Sequence, residues 1–354
     1  MTDFQTDDLR IANIKPLISP SVLSYYLPIT DNAAEVVAKA RKQSEAILAG
    51  KDDRLLVIVG PCSIHDTGAA IEYATRLKEI SARYSDDLMI VMRVYFEKPC
   101  TTVGWKGLIN DPYLDGSFDI NRGLHVAREL LIELAEMGVP AGTEFLDTIS
   151  PQYYADLVSW GAIGARTTES QIHRELASGL SMPVGFKNGT GGSIQIALDA
   201  IQASSRPHHF LSVTKQGVSA IVQTKGNPAC HIIMRGSSKG PNYDSDSIAQ
   251  VTKQLEEAQL QGSVMIDCSH GNSLKDYRNQ PAVVQNLCEQ ISAGNHAITS
   301  VMVESNLVEG AQKLQSNLAD MTYGQSVTDQ CVSWQTTENI FEAFTSAVQA
   351  RRNA

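Results

Sequence analysis

Eight short apolar runs, spread along most of the chain, constrain its fold more than any other feature. The first covers residues 55–59 and is rich in β-branched side chains. It stops at Gly60-Pro61 and is followed by the thiol of Cys62. Each later run also ends at or near a charged or basic side chain. In chain order, the residues at these ends are Cys62, Arg93, Glu144, Arg166, Lys187, Arg235, His270 and Glu304.

Helix-like patterns separate the runs, which predicts crossover connections and a parallel sheet. Eight such strands favour an α/β fold of the (β/α)8 TIM-barrel type over an open sheet, although the pattern does not separate eight strands from seven or nine. One segment interrupts the alternation. Residues 208–226 contain two strand-like runs joined through Lys215-Gln216-Gly217, which predicts a β-hairpin inserted before barrel strand 6.

The domain organisation follows from the same patterns. A chain of 354 residues can form one large domain or two ordinary ones. Residues 1–50 begin with a proline-containing stretch that has no sustained period, and then show a helix-like pattern in which Asn32 and Glu35 have the spacing of a capping box. We expect an N-terminal extension, made of an extended arm and a helix, that serves oligomerisation or regulation. Residues 51–354 are expected to form the catalytic barrel.

The bulk composition argues against two classes of partner. A formal charge of −10 disfavours nucleic acid, and no apolar run approaches the roughly 18 residues of a membrane-spanning helix. The first residues are acidic and polar, unlike a signal peptide, so the expected location is the cytoplasm. The six cysteines show no CxxC spacing and are expected to be thiols.

The charged run ends predict one shared binding site. In a parallel barrel, the carboxyl ends of all strands lie on one face. A single basic residue after a strand is usually a solvated loop charge, but the same arrangement after eight runs indicates a common function. Guanidinium groups bind phosphate and carboxylate bidentately. We therefore expect a small ligand carrying both anions to be bound by Arg93, Lys98, Arg166, Lys187 and Arg235.

A second group of residues predicts a metal site. Cys62, His270, Glu304 and, farther along the chain, Asp329 combine sulfur, nitrogen and oxygen donors. Such a set suits a divalent Mn, Fe, Co or Zn ion better than Ca or Mg alone. The residues have no local spacing signature, so this prediction depends on closure of the barrel. Glu144 could orient a water molecule or, equally well, pair with a neighbouring Arg.

Several longer segments resemble one known family. They read MRVYFEKP, GWKGLINDP, PVGFKNGT, MIDCSHGN and SVTDQC. These segments are similar to the class I 3-deoxy-D-arabino-heptulosonate 7-phosphate (DAHP) synthases of microbes, the first enzymes of the shikimate pathway, and the similarity extends from the N-terminal arm to near the C-terminus. The resemblance implies metal-dependent condensation of phosphoenolpyruvate with erythrose 4-phosphate and water to give DAHP and phosphate.

The resemblance also implies how the substrates are bound. Arg93 and Lys98 would contact the carboxylate of phosphoenolpyruvate. Its phosphate would be bound by Arg166, Lys187 and Arg235, with help from the backbone at Ala165.

The same resemblance implies catalytic and metal-binding residues. Lys98 would donate a proton to the aldehyde oxygen of the second substrate, and Glu144 would position the water that adds at C2. His270 belongs both to the implied catalytic residues and to the implied metal ligands, which are Cys62, His270, Glu304 and Asp329.

One departure from the family lies beside the second substrate. The family commonly has Lys-Pro-Arg-Thr where this chain has Lys98-Pro99-Cys100-Thr101. A guanidinium expected at the phosphate of erythrose 4-phosphate is therefore missing. Such a charge-assisted contact contributes roughly 1.5–3 kcal/mol, so we expect weaker binding, with Thr101 carrying more of it.

Members of the family are commonly inhibited by one aromatic amino acid. By position, the residues implied to line the effector pocket are Gln152, Ser181, Phe210, Ser212 and Val222. Ser212 matches forms that respond to phenylalanine, so phenylalanine is favoured over tyrosine as the effector; without the resemblance, Ser212 is an ordinary hairpin residue. The family also forms dimers and tetramers, and a homo-oligomer is expected here.

Two other functions stay open at this level. A synthase that condenses phosphoenolpyruvate with another aldose phosphate is favoured by Cys100 alone. A regulatory, amino-acid-binding paralogue of low activity is the second alternative, and the complete set of ligand and cationic residues counts against it.

Overall fold

The computed structural model describes residues 6–99, 104–315 and 317–353. No helix among these residues is both long enough and apolar enough to cross a membrane. In chain order, the helices and strands are α1 (Pro20–Tyr26), α2 (Asp31–Leu48), β1 (Leu55–Gly60), α3 (Thr67–Arg83), β2 (Leu88–Arg93), α4 (Ile120–Glu136), β3 (Ala141–Glu144), α5 (Pro151–Tyr154), β4 (Trp160–Ile163), α6 (Gln171–Gly179), β5 (Val184–Lys187), α7 (Gln195–Ser204), β6 (His209–Val213), β7 (Ser219–Gln223), β8 (Cys230–Met234), α8 (Ser245–Glu257), β9 (Val264–Asp267), α9 (Gln280–Ser292), β10 (Ile298–Glu304), β11 (Val308–Ala311), β12 (Gln325–Ser326) and α10 (Trp334–Arg352).

Eight of these strands form a closed barrel. Around the ring their order is β1-β10-β9-β8-β5-β4-β3-β2, and every neighbouring pair is parallel. The first and last barrel strands pair directly, with Gly60 opposite Glu304. The predicted (β/α)8 TIM barrel is confirmed, with eight strands rather than seven or nine.

Burial on both faces explains why the strands appear as uninterrupted apolar runs. All six residues of β1 are buried. Inward-facing side chains such as Leu56, Ile58 and Met265 form a cluster inside the barrel that is separate from the core between strands and helices. Ala40 and Leu48 of α2 belong to this inner cluster. The helix therefore closes the end of the barrel at which the strands begin.

The inserted hairpin lies where the sequence predicts it, between α7 and β8. Strands β6 and β7 are antiparallel, with Phe210 opposite Val222. Gly217 in the turn has φ +78°, a conformation that favours glycine. The backbone N–H of Ser21, in α1, donates to the carbonyl of Lys215 at 2.6 Å. The N-terminal arm thus contacts the hairpin turn.

Two expectations about the N-terminal extension were wrong. The arm is not extended throughout, because Pro20 begins helix α1, where a proline in the first turn removes no helical hydrogen bond. The capping residue of α2 is Thr30 and not Asn32. Its side chain accepts a hydrogen bond from the N–H of Ala33, and the helix begins two residues earlier than a capping box at Asn32 indicates.

The predicted bounds of one helix were wrong, and another helix was not predicted. The pattern near residues 151–160 indicates one helix, but α5 ends at Tyr154 and only a short 3-10 turn follows, because Trp160 already belongs to β4. Helix α10 was not predicted. It packs against α9 and has Ser333 as its capping residue, whose side chain accepts from the N–H of Thr336.

Candidate active site

The loops after the barrel strands surround a cavity of about 920 Å³. Ten of the residues singled out in the sequence line it, although they come from eight separate places along the chain. They are Arg93, Lys98, Glu144, Ala165, Arg166, Lys187, Arg235, His270, Glu304 and Asp329. Thr101 and Cys100 lie outside the described residues. The barrel therefore brings together both the cationic group and the proposed metal ligands.

Three of the four proposed metal ligands form a compact cluster. Single donor atoms of Cys62, Glu304 and Asp329 all lie within 4.8 Å of one another. Burial, followed by the charge of Glu304, raises the pKa of the Cys62 thiol to about 12. Metal binding requires the thiolate, so Cys62 needs a neighbouring cation to act as a ligand. The donor set of one sulfur and two carboxylates fits a transition-metal ion.

Lys98 supplies positive charge to this cluster. Its Nζ lies 2.8 Å from Sγ of Cys62 and 3.1 Å from Oδ2 of Asp329. The charge of Lys98 holds the pKa of Asp329 well below its usual range, against the opposing effect of burial. Burial disfavours the charged form of Lys98, but Cys62 and Asp329 outweigh it and raise the pKa of the ammonium group. Lys98 thus binds the candidate metal ligands directly.

His270 lies beside the three-residue cluster and not within it. Its Nε2 is 3.9 Å from Oε1 of Glu304. The residue has φ +53°, a left-handed conformation that is uncommon for residues other than glycine, and such residues cluster at functional sites. This turn after β9 carries the ring back over Asp267, whose Oδ2 is 2.9 Å from Nδ1.

Asp267 is a site residue that the sequence analysis did not identify. It is the last residue of β9 and is fully buried. Its Oδ2 contacts Nζ of Lys187 at 3.2 Å as well as His270. Burial alone would raise the pKa of Asp267, but the charges of His270 and Lys187 outweigh it and hold this pKa well below the usual range. The signal was present as an acidic residue ending the apolar run before CSHG.

The guanidinium group of Arg93 makes several hydrogen bonds and a cation–π contact. Its guanidinium donates to the carbonyl oxygens of Pro61 and Cys62, each at 3.3 Å, and to Oε1 of Glu304 at 3.1 Å. The guanidinium carbon lies 3.7 Å from the centre of the Tyr95 ring, at the distance of a cation–π contact. Most of its N–H groups therefore bind the protein. Arg93 fixes Glu304 and the backbone of Cys62 while it lines the cavity.

Arg166 and Arg235 line another part of the cavity wall. Nη1 of Arg166 donates to the carbonyl of Pro99 at 3.3 Å. The N–H of Arg235 donates to Oδ1 of Asn188 at 2.8 Å, which fixes the backbone from which its side chain extends. Within the described part of the chain, the Arg235 side chain makes no ion pair. An anion in the cavity would have access to it.

Glu144, at the end of β3, packs against the backbone at Gly164. A Cβ atom added to Gly164 would come within 2.4 Å of Oε1 of Glu144. The glycine therefore leaves room for the carboxylate just before Ala165 and Arg166. This contact places an oxygen acceptor next to the cationic part of the cavity.

The proposed effector residues are only partly brought together. A second cavity of about 500 Å³ lies between Thr148-Ile149 and the hairpin, and Ser212 lines it. Phe210 and Val222 form a cross-strand pair on the same hairpin. The carbonyl of Gln152 accepts a hydrogen bond from Lys215 in the hairpin turn. Ser181 follows the end of α6 and does not line this cavity.

A closed barrel with a cationic cavity and a sulfur–oxygen donor cluster at the carboxyl ends of its strands has the features of a barrel enzyme. The sequence pattern of the DAHP synthetase I family matches residues 31–342. The chain belongs to this family, whose members are enzymes of the shikimate pathway.

Individual relatives agree with this assignment over nearly the whole chain. A phospho-2-dehydro-3-deoxyheptonate aldolase of Escherichia coli, described as Phe-sensitive, is 58% identical over 350 residues and covers 99% of both chains. A tyrosine-inhibited aldolase of the same name from Candida albicans is 53% identical over 352 residues, which are 98% of this chain and 95% of the relative. The solved structure of the Francisella tularensis enzyme is 53% identical with a TM-score of 0.95, covering 97% of this chain and 99% of that one.

Proposed function

We propose that the chain condenses phosphoenolpyruvate with erythrose 4-phosphate and water, giving DAHP and phosphate. The observation that carries this proposal is the single cavity that joins a cationic wall to the donor cluster of Cys62, Glu304 and Asp329. A substrate with a phosphate and a carboxylate matches the wall, and an aldehyde requires an electrophilic activator. The names of the relatives support the same reaction.

A divalent metal ion fits the residues present. Cys62, Glu304 and Asp329 would hold it, and His270 would complete the set through Nε2, which already faces Glu304 at 3.9 Å. Sulfur, imidazole and carboxylate donors favour Mn, Fe, Co or Zn. Once bound, such an ion supplies Lewis-acid polarisation of the aldehyde oxygen.

The cationic residues divide between the two anionic groups of phosphoenolpyruvate. Arg166, Lys187 and Arg235, with the backbone N–H at Ala165, would bind the phosphate through charge-assisted hydrogen bonds. Arg93 and Lys98 would bind the carboxylate. The bound enol would then be oriented for attack of its C3 on the aldehyde carbon.

Two residues have positions suited to proton transfer. Lys98 is kept protonated by its anionic neighbours, so it can donate a proton to the aldehyde oxygen as the new carbon–carbon bond forms. Glu144 can position the water that adds at C2, after which phosphate leaves from the hemiketal. Thr101, three residues after Lys98 in the chain, would contact the phosphate of erythrose 4-phosphate.

Regulation and assembly complete the proposal. The cavity beside Ser212 would bind an aromatic amino acid, with phenylalanine favoured over tyrosine. Residues 1–50 would serve assembly and regulation of the barrel formed by residues 51–354, which includes the hairpin, in a cytoplasmic homodimer or homotetramer. The contact between α1 and the hairpin turn supports a regulatory role for residues 1–50, because it joins the N-terminal extension to the hairpin beside the proposed effector cavity.

The test is a steady-state assay of phosphate release and DAHP formation with each aldose phosphate in turn. We expect turnover with erythrose 4-phosphate that depends on Mn²⁺, stops with a chelator and falls when phenylalanine is added. Faster turnover of a five-carbon aldose phosphate would instead support a synthase for another substrate. Amino-acid binding without turnover in the presence of Mn²⁺ would support a regulatory paralogue.

The variant Cys100→Arg tests how tightly the proposed second substrate, erythrose 4-phosphate, is bound. Restoring the guanidinium should lower the Michaelis constant for erythrose 4-phosphate by about 10- to 100-fold and leave that for phosphoenolpyruvate unchanged. An unchanged constant for erythrose 4-phosphate would show that the expectation of weaker binding at Cys100 is wrong.

A further inference from the structure

Asp267 lies between Lys187, a proposed phosphate-binding residue, and His270, a proposed metal ligand. It is fully buried at the end of β9. One carboxylate oxygen, Oδ1, accepts hydrogen bonds from the N–H and the hydroxyl of Ser269, at 3.0 and 2.6 Å. The other oxygen, Oδ2, lies 3.2 Å from Nζ of Lys187 and 2.9 Å from Nδ1 of His270. Asp267 therefore contacts one proposed phosphate-binding residue and one proposed metal ligand.

Two nitrogen atoms lie beside Oδ2, Nζ of Lys187 and Nδ1 of His270. Among the described residues, no donor meets hydrogen-bond geometry at this buried oxygen. Its stabilisation comes from charge, because a buried carboxylate without a compensating cation is strongly unfavourable. Lys187 and His270 therefore both contact the same atom, Oδ2 of Asp267, at the end of β9. Neither can move without leaving the carboxylate less compensated.

The arrangement also orients the imidazole of His270. Nδ1 faces two oxygen acceptors, Oδ2 of Asp267 and the hydroxyl of Ser269 at 2.7 Å, so Nδ1 carries the proton. Nε2 then presents its lone pair on the side of Glu304. A metal-bound histidine is commonly oriented in this way by a carboxylate on its other ring nitrogen.

We propose that Asp267 is a positioning residue that couples metal binding to phosphoenolpyruvate binding by holding both His270 and Lys187 at the Oδ2 atom of its carboxylate. This inference rests on the proposed function. It adds a residue that touches neither substrate nor metal but determines where a ligand of each is placed.

The experiment uses the full-length chain and two separate binding measurements. The dissociation constant for Mn²⁺ is measured by titration of the chelator-treated protein, and that for phosphoenolpyruvate is measured at saturating Mn²⁺. For Asp267→Asn, we expect Mn²⁺ to bind roughly 10- to 100-fold more weakly and phosphoenolpyruvate also to bind more weakly. Asp320→Asn, at an exposed aspartate, is the matched control and should leave both constants unchanged.

A double-mutant cycle separates positioning from general structural damage. In a His270→Ala background, Asp267→Asn should have no further effect on Mn²⁺ binding, because the residue through which it acts is absent. In a Lys187→Met background, its effect on phosphoenolpyruvate binding should likewise disappear. Equal effects of Asp267→Asn with and without His270 would overturn the proposal, as would unchanged constants in the single variant.

Two further measurements keep the outcome decisive. If Asp267→Asn does not fold, Ser269→Ala replaces it. This variant removes both the hydroxyl donor to Oδ1 of Asp267 and the hydroxyl contact with Nδ1 of His270, and the cycle with His270→Ala applies unchanged. Wild-type protein and Cys62→Ala test the proposed metal site itself. Failure of wild-type protein to bind one Mn²⁺ would refute that site, whereas normal wild-type binding with an additive cycle would refute only the role of Asp267.

Discussion

At the scale of single residues, the cavity is built from charges that compensate one another in places water reaches poorly. Arg93 and Glu304 form an ion pair at 3.1 Å with side chains 1% and 2% exposed. Removing one member of such a pair leaves the other buried without compensation, which is far more unfavourable than the pair is favourable. Substitutions at these positions should therefore change stability as well as activity.

Arg93→Gln is the sharpest example. We expect the free energy of unfolding to fall by about 3–5 kcal/mol in chelator-treated protein, because Glu304 then loses its buried partner. Urea denaturation followed by circular dichroism measures the change. Arg76→Gln is the matched control, since Arg76 pairs with Glu72 on the surface, where such a pair contributes at most about 1 kcal/mol. Equal losses in both variants would contradict the argument.

Glu97 gives the protein a predictable pH dependence. Burial, with the charge of Asp147 second, raises the pKa of Glu97 to about 7. The unfolded chain releases this proton near pH 4.3, before the folded chain does, so Glu97 lowers stability progressively as pH rises from about 4.3 to 7. Glu97→Gln should increase the free energy of unfolding at pH 8 by about 1–3 kcal/mol and change it little at pH 4.

The measurement for Glu97 is a series of urea denaturation curves between pH 4 and pH 8. The exposed Glu256, on α8, provides the control variant Glu256→Gln. A gain at pH 8 equal to the gain at pH 4 would show that the effect of Glu97→Gln is steric and does not arise from its ionisation.

At the scale of elements, α2 determines how the N-terminal end of the barrel is closed. Arg41 of α2 donates from Nε and Nη2 to the carbonyl of Val158, at 2.9 and 2.8 Å, and from Nη2 to that of Ala155 at 2.8 Å. These carbonyls belong to the turn before β4. The helix is thereby attached to the barrel by polar contacts as well as by its apolar face.

Arg41→Ala should consequently loosen α2. We expect a loss of about 1–3 kcal/mol in the free energy of unfolding, because two partly buried carbonyls lose a charged donor. Lys42→Ala, at the exposed next position, should change it by less than about 0.5 kcal/mol. Hydrogen exchange would locate the effect: protection should fall in α2 and at the start of β4, and a uniform change would contradict the prediction.

Local signals in the sequence account for most of these elements but not for all of their ends. Alternation of apolar strands and helices was sufficient for the barrel, and Lys215-Gln216-Gly217 was sufficient for the hairpin. The start of α2 could not be settled because Thr30 and Asn32 are both good capping residues, and the surrounding fold decides between them. The short α5 depends on where β4 begins, which is a property of the sheet register.

At the scale of the whole molecule, the hairpin leaves apolar side chains outside the core. Leu211 and Ile221 are cross-strand partners that are 86% and 76% exposed, and Val218 in the turn is 61% exposed. A contiguous patch of this kind on a folded domain usually contacts another protein surface. It is consistent with the proposed homo-oligomer.

Leu211→Asp should therefore shift the protein toward smaller species. We expect a lower mass by light scattering after size exclusion, with the barrel still folded, because a carboxylate would be desolvated at the proposed interface. Ala249→Asp, on the exposed side of α8, is the control and should leave the mass unchanged. Identical masses for wild type and Leu211→Asp would show that this face of the hairpin is not an interface.

The site itself shows what a sequence can and cannot indicate. Charged residues at strand ends were identifiable because the barrel gives them a common face, and this covers Arg93, Glu144, Arg166, Lys187, Arg235, His270 and Glu304. Asp267 was missed because its importance depends on Lys187, a residue 80 positions earlier in the sequence. The bonding of Lys98 to Cys62 and Asp329 was equally invisible, since it depends on distances set by the closed ring.

Pairing of β1 with β10 also determines when the barrel can close during synthesis of the chain. A chain leaves the ribosome from its N-terminus, and domains fold as their residues emerge. β1 has its second barrel neighbour only after residues 298–304 have been made. The cluster of Cys62, Glu304 and Asp329 can form only later, once Asp329 has been made. During synthesis the chain thus carries an open sheet edge and separated ligand residues, and the candidate metal site can form only after residue 329 has been made.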